Sequence, residues 1–272
     1  MKVAMNGASG FVAKALKKAF PDNIVIERND SVEAILTKLE GVEAVFNLAG
    51  APIAARWDEA YKKVLFSSRI ESTKKIVAAI NQSEVKHFIS TSAVGIYPNN
   101  VPSDESSEKF GDDFLAGVCI AWENEARKCQ KPTTILRFGV VLGKEGGALE
   151  KMVPAFQAWM GGIIGNGMMM TSWIDIDDLV RIYSYVLEQN IVGTYNATAP
   201  NPVSNFTFTK SLGKVLNRPT WLPLPAFVIK MLFSEGACVL LDSKEVYPKA
   251  LLDKGFTFAY PDINSSLKKI LT

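Results

Sequence analysis

The chain opens with Met1-Lys2-Val3-Ala4-Met5-Asn6-Gly7-Ala8-Ser9-Gly10-Phe11-Val12-Ala13, in which a short apolar run breaks at Gly7 and continues beyond Gly10 into a helix-like pattern. Glycine allows a sharp turn after a strand and lets a phosphate approach the backbone, and the small Ala13 lets helix and strand pack closely. The first N–H groups of such a helix would face a pyrophosphate. The spacing is Gly-x-x-Gly-x-x-Ala and not the strict Gly-x-Gly-x-x-Gly, so it predicts a dinucleotide-binding turn with a plain strand-to-helix turn as the alternative.

Beyond this segment, short apolar and β-branched runs alternate with segments of helical periodicity. This alternation predicts a parallel sheet with helices on both faces, a doubly wound α/β fold. In such a fold, ligands bind outside the carboxyl ends of the strands. The predicted strands after the first are 24–26, 44–48, 88–90 and 133–138, and the predicted helices include 32–39, 57–80 and 114–128.

The pattern loosens after about residue 145, where glycines interrupt a helix-like stretch and prolines follow. We therefore predict a dinucleotide-binding domain over residues 1–145. Residues 146–272 are predicted to form a smaller substrate lobe, interleaved with the last elements of the sheet. Whether the C-terminal residues cover the pocket or form a homodimer surface is left open by the sequence.

Composition excludes several classes of protein. The chain has 272 residues, 48% of them hydrophobic, and its 30 basic and 28 acidic residues give a net charge of +2 without a basic stripe typical of nucleic-acid binding. No apolar run has the length of a membrane span, and the start does not resemble a signal peptide, so we expect a cytoplasmic protein without a membrane or nucleic-acid partner. The three cysteines lack a Cys-x-x-Cys spacing, so neither a disulfide framework nor a metal site is predicted.

Several phrases together resemble the extended short-chain dehydrogenases/reductases, and more narrowly their atypical epimerase-family group, which is similar to nucleoside-diphosphate-sugar epimerases. The resemblance covers nearly the whole chain and implies a Rossmann-like fold, NAD(P) binding and a small-molecule substrate that the family does not define. It rests on Gly7-Ala8-Ser9-Gly10-Phe11, Asn47-Leu48-Ala49-Gly50, Ser90 to Tyr97, Phe114 to Cys119 with Trp122-Glu123, Ser172 to Leu179, and a C-terminal stretch from Pro225 to Phe256.

The resemblance also implies which residues contact the cofactor. Arg28, after the second strand, is placed to pair with the 2′-phosphate of NADP, whereas the neighbouring Glu27 would suit the ribose hydroxyls of NAD; we favour NADP(H) over NAD(H), with a solvated loop as the alternative. Arg69 matches a polar position of the family, although a surface role is an alternative. The predicted cofactor contacts are Gly7, Ser9, Gly10, Phe11, Val12, Arg28, Asn47, Leu48, Ala49, Gly50, Arg69, Ser90 and Arg137.

The candidate catalytic residues match the family pattern only in part. Ser92 matches the family's catalytic serine or threonine, with a strand-end hydroxyl as the alternative. No tyrosine is followed four residues later by a lysine, so the family's Tyr-x-x-x-Lys pair is absent. Tyr97 is the alternative phenol, and Cys119 and Glu123, four residues apart on one helix, are a further candidate acid/base pair, unless the thiol is a core residue and the carboxylate a surface charge.

These observations lead to three hypotheses. The first is an NADP(H)-dependent oxidoreductase or epimerase-like enzyme that acts on a small hydroxyl or carbonyl compound with a non-standard active site. The second is a non-catalytic NADP(H)-binding redox sensor, because the tyrosine–lysine pair is missing. A conventional sugar-nucleotide epimerase is third, since it would need that tyrosine.

Overall fold

The computed structural model describes all residues, Met1–Thr272, and is built around one six-stranded sheet in which every neighbouring pair is parallel. The order across the sheet is β2-β1-β3-β4-β5-β10. The strands are β1 Val3–Met5, β2 Asn23–Val25, β3 Ala44–Asn47, β4 His87–Ala93, β5 Thr133–Phe138, β6 Val140–Gly143, β7 Gly162–Ile164, β8 Met170–Thr171, β9 Trp173–Asp175, β10 Gly193–Ala197, β11 Val203–Ser204 and β12 Leu222–Leu224.

Helices connect these strands and cover both faces of the sheet. Several begin where a side chain caps the first turn: Ser31 accepts a hydrogen bond from the N–H of Ala34, and Asp58 accepts one from Tyr61. The helices are α1 Phe11–Ala19, α2 Val32–Lys38, α3 Glu59–Ile80, α4 Phe114–Ala126, α5 Gly147–Gln157, α6 Ile176–Glu188, α7 Asn205–Leu216, α8 Ala226–Phe233, α9 Cys238–Leu241, α10 Lys249–Asp253 and α11 Ile263–Leu271.

Two apolar layers sandwich the sheet. On one face, α1 and α6 bury residues such as Leu16 and Leu179 against the strands. On the other face, α2 and α3 contribute Ile35, Ile76 and Ile80, and α4 packs beside α3. The predicted Rossmann-like α/β fold is therefore present, with the apolar runs of the inner strands β1 and β3 buried between the two layers.

The residues after β5 divide between the sheet and a separate cluster. Strand β10 pairs with β5 and closes one edge of the main sheet. Helices α5, α7 and α11 bury a core of their own that includes Phe156, Leu212 and Leu267. The predicted division at residue 145 remains a prediction, and the two parts share one sheet. None of the helices combines the length and apolar character needed to cross a bilayer.

Candidate functional site

The turn after β1 meets the turn after β3 at the carboxyl edge of the sheet. The strand order reverses direction between β1 and β3, which makes this edge the crevice where ligands bind in open α/β sheets. Gly7 has a φ of +63°, and a Cβ atom built there would lie 3.0 Å from the N and Cα atoms of Ala49. A side chain at residue 7 would therefore be strained and would push the two turns apart.

Helix α1 begins directly at this crevice and lacks a capping side chain. Gly10 stands at the N-cap position without a side-chain hydrogen bond, and the first turn carries no acidic residue. The N–H groups of the first turn therefore keep their capacity to bind an anion, and the helix dipole favours one. Ser9 and Gly10 are exposed, and Val12 lies partly buried in that first turn. This uncapped turn, with the glycine crevice beside it, fits the pyrophosphate of a dinucleotide.

Asn6, which no motif in the sequence singled out, shapes the floor of the crevice. Its Oδ1 atom accepts hydrogen bonds from the N–H groups of Leu48 at 2.6 Å and Ala49 at 3.0 Å. Its Nδ2 donates to Asn47 Oδ1 at 2.8 Å. Asn47 in turn donates to Ser90 Oγ at 3.1 Å. The side chains of Asn47 and Ser90 are thus buried under the crevice, where they hold the turn through which Leu48, Ala49 and Gly50 reach it.

Other predicted cofactor residues lie around the same edge. The ring of Phe11 fills the space beside Gly146, where a Cβ atom would lie 2.6 Å from the ring, so Phe11 fixes the loop that precedes α5. Arg28 is exposed after β2. The nearby Asp30 is already paired with Lys38 at 2.6 Å, which leaves the Arg28 guanidinium free of that carboxylate.

A buried ion pair lies under α4 on the sheet face that Ser92 shares. Ser92 donates to Glu123 Oε1 at 2.8 Å, and Arg137 binds both oxygens of the same carboxylate at 2.7 and 2.9 Å. Arg127, at the surface, donates to Glu123 Oε2 at 2.6 Å. Burial opposes ionisation of Glu123, but the hydrogen bond and charge of Arg137, aided by Ser92, hold its pKa below the ordinary value. The carboxylate stays ionised and orients the serine hydroxyl.

Tyr97 belongs to the same network. Its hydroxyl donates to Asn196 Oδ1 at 2.9 Å and accepts from Arg137 Nη1 at 2.7 Å. The side chain is fully buried, and this burial raises its pKa although Arg137 acts in the opposite direction. The phenol that the sequence suggests as an acid/base group is thus held inside the protein. The guanidinium of Arg137 likewise bonds Glu123 and Tyr97, so its contacts hold these two side chains in place.

Cys119 lies on α4 one turn before Glu123, as the periodicity predicts, and is 4% exposed. Burial, reinforced by the charge of Glu123, raises the pKa of its thiol to about 12. At neutral pH the thiol is protonated, so it cannot act as a nucleophile or general base there. The predicted thiol–carboxylate pair shares a helix face, but the Glu123 carboxylate is bonded to Arg127 and Arg137.

The opposite edge of the sheet holds a different cavity. Its volume is about 600 Å³, and it is lined by residues that include Lys131, Thr133 and Gly193 at the amino ends of β5 and β10. The single histidine, His87, lies at the same edge and bonds Thr134 and Asn190. Since parallel sheets bind ligands at their carboxyl edge, we assign the functional site to the Gly7 crevice.

The chain belongs to the NAD-dependent epimerase/dehydratase family, whose model matches residues 3–197. A domain of unknown function, DUF1731, matches residues 224–270. The predicted family and the Rossmann-like fold are therefore confirmed, and nicotinamide dinucleotides are the cofactors of this family.

Curated relatives and a solved structure match over the whole chain. The chain is 37% identical to the epimerase family protein SDR39U1 homolog, chloroplastic, of Arabidopsis thaliana, and the match covers 100% of this chain and 87% of that relative. It is 31% identical to the human epimerase family protein SDR39U1, with 100% of both chains covered. The crystal structure of human SDR39U1 isoform 2 with NADPH superposes with a TM-score of 0.92 at 30% identity, covering 100% of this chain and 99% of that one.

Proposed function

We propose that the protein binds NADP(H) in the Gly7 crevice and exchanges a hydride with a small hydroxyl or carbonyl compound, as an oxidoreductase or epimerase-like enzyme. The observation that carries this proposal is the start of α1, which has no capping side chain and lies beside the close approach of the Gly7 and Ala49 backbones. The human relative that shares the fold over its whole length was crystallised with NADPH, which supports the choice of cofactor. Gly7, Ser9, Gly10, Phe11 and Val12 would hold the pyrophosphate side.

Ser92 lies near the carboxyl end of β4 and is buried, as Tyr97 is, but no donor in the protein bonds its oxygen. We propose that Ser92 meets the substrate. Its hydrogen atom is directed to Glu123, so its oxygen is left to accept a hydrogen bond, which suits a substrate hydroxyl. The bound nicotinamide supplies the hydride acceptor or donor. Because Arg137 and Arg127 keep Glu123 ionised, the carboxylate fixes the direction of the serine hydroxyl and does not itself store a proton at neutral pH.

Ser92→Ala is expected to lower turnover about 100-fold while NADPH still binds, because it removes the contact to the reacting oxygen and the hydrogen bond to Glu123 but leaves the Gly7 crevice unchanged. The measurement follows the absorbance of reduced nicotinamide with a panel of aldehydes, ketones and alcohols. Thr91→Val is the matched control, since Thr91 points to the opposite face toward Tyr183. Equal turnover in the Ser92→Ala and wild-type proteins would contradict the role of Ser92.

Arg28→Ala is expected to weaken NADPH binding about tenfold and to leave NADH binding unchanged, because only NADPH carries the 2′-phosphate that a guanidinium would pair with. Fluorescence titrations of the cofactor-stripped protein with each nucleotide measure both effects. Equal weakening for the two nucleotides would mean that Arg28 does not read the 2′-phosphate.

A second candidate is a non-catalytic NADP(H)-binding redox sensor. The observation in its favour is that neither Tyr97 nor Cys119 offers a free acid/base group, because one is fully hydrogen-bonded and the other has a thiol pKa of about 12. Tight NADPH binding without turnover on the whole substrate panel would favour the sensor. Turnover that Ser92→Ala abolishes would exclude it.

A further inference from the structure

Arg69 brings a positive charge to the crevice without a carboxylate to balance it. It lies on α3, and its side chain is partly buried. Nη1 donates to the carbonyl of Leu65 and Nη2 to the carbonyl of Ala51, each at 3.0 Å. A guanidinium has five N–H groups, so three of them have no acceptor in the structure.

The neighbouring guanidinium on the same side of the sheet shows the contrast. Arg137 is bonded to both oxygens of Glu123. Arg69 instead stacks on the indole of Trp122, with Cζ 5.4 Å from the ring centroid. Burial lowers the pKa of Arg69, yet an arginine stays charged at neutral pH. A desolvated cation without a counter-charge is costly unless an anion completes the site.

The surroundings of Arg69 open toward the crevice. Gly50 is exposed at the end of the β3 turn, and a Cβ atom there would lie 3.0 Å from Cζ and Nη2 of Arg69. The absence of a side chain at residue 50 therefore leaves the guanidinium face uncovered. On its other side is α4, where Cys119 packs near Gly95, three residues beyond Ser92.

We propose that Arg69, which the family resemblance places among the cofactor contacts, instead binds an oxyanion, the carboxylate or phosphate group of the compound that the crevice takes up beside the cofactor. The free N–H groups would form charge-assisted hydrogen bonds to two oxygens, and Trp122 would keep the guanidinium plane in place. This inference rests on the proposed function, since only a site that exchanges a hydride has a substrate. It adds that the substrate is an anionic hydroxyl or carbonyl compound.

The test observes the Arg69 Nε–H resonance by ¹H–¹⁵N NMR, assigned as the signal missing from Arg69→Lys. The protein is titrated with acetate and, separately, with inorganic phosphate, both without nucleotide and saturated with NADPH. A saturable shift of this resonance in the millimolar range is expected with at least one anion, and the arm that saturates first distinguishes carboxylate from phosphate. No shift with either anion, in either state, would overturn the proposal and leave Arg69 as a support of the residue 50–51 turn.

Two variants keep the result independent of folding and of the cofactor. Arg69→Met should lose the anion-dependent shift of the neighbouring Trp122 indole N–H, whereas Lys63→Met, which removes an equal charge from an exposed position of α3, should retain it. A shift of the Trp122 signal in Arg69→Met equal to that in the wild type would contradict the proposal. If NADPH does not bind but the anion shift is present in the nucleotide-free protein, the proposed function fails and the anion site stands.

Discussion

Glu123→Gln is expected to lower the free energy of unfolding by about 3–5 kcal/mol, because it leaves Arg137 charged and buried without its counter-ion. The Glu123 side chain is 0% exposed and that of Arg137 is 4% exposed, so water cannot replace the lost partner. Urea denaturation followed by circular dichroism at neutral pH measures the change. Replacing both residues, as Glu123→Gln with Arg137→Met, should recover part of the loss, because no unpaired charge then remains.

Glu125→Gln is the matched control for this prediction. Glu125 lies on the same helix and pairs with Lys128 at 2.6 Å, but the lysine is 63% exposed, so the change should cost less than about 1 kcal/mol. Arg137 lowers the pKa of Glu123 in the folded protein. The ionised carboxylate therefore contributes its full share to the free energy of unfolding at any pH above the pKa that Glu123 has in the unfolded chain. That share is lost as the pH falls through the pKa of Glu123 in the folded protein. Equal losses for Glu123→Gln and Glu125→Gln would show that the pair is not a buried one in solution.

Gly7→Ala is expected to weaken NADPH binding at least about tenfold, because the new Cβ atom would meet the backbone of residue 49 at 3.0 Å and displace the turn that lines the crevice. The left-handed backbone at residue 7 adds a strain of about 1–2 kcal/mol to the folded protein. Isothermal titration calorimetry gives the affinity, and thermal unfolding gives the strain.

Gly41→Ala separates these two effects. Gly41 has a φ of +69°, close to that of Gly7, but the only heavy atom near its Cβ position is Lys2 Nζ at 3.8 Å, away from the crevice. It should therefore show the backbone strain alone, about 1–2 kcal/mol, and bind NADPH as the wild type does. Equal affinities for NADPH in Gly7→Ala and Gly41→Ala would show that the nucleotide does not bind at the Gly7 turn.

Local patterns were enough to predict the fold and the position of the first glycine turn. The strand at 133–138 has the predicted bounds, and the first glycine turn is where the spacing places it, because periodicity and turn chemistry act over a few residues. The support of the site depends on longer distances. Glu123 meets Arg137 14 residues away, Arg137 meets Tyr97 40 residues away, and Asn6 meets Asn47 41 residues away.

No sequence pattern predicts these partners, because strand register and the packing of α4 and of the segment after β4 against the sheet bring them together. Ser92 lies opposite Arg137, and Arg137 lies opposite Asn196, so the three side chains form one row on the same sheet face. The sequence identified Ser92 and Tyr97 as candidate catalytic groups but could not show that Glu123 orients the first and that Arg137 and Asn196 enclose the second. An asparagine directly after a first strand, as Asn6 is, was the available signal for the crevice floor.

The most direct test of NADP(H) binding in the Gly7 crevice is a calorimetric titration of the cofactor-stripped protein with NADPH and, in parallel, with NADH. We expect one nucleotide to bind per chain, with NADPH bound more tightly than NADH. If neither nucleotide binds while circular dichroism shows a folded protein, the Gly7 turn is only a structural connection and the proposed function is wrong.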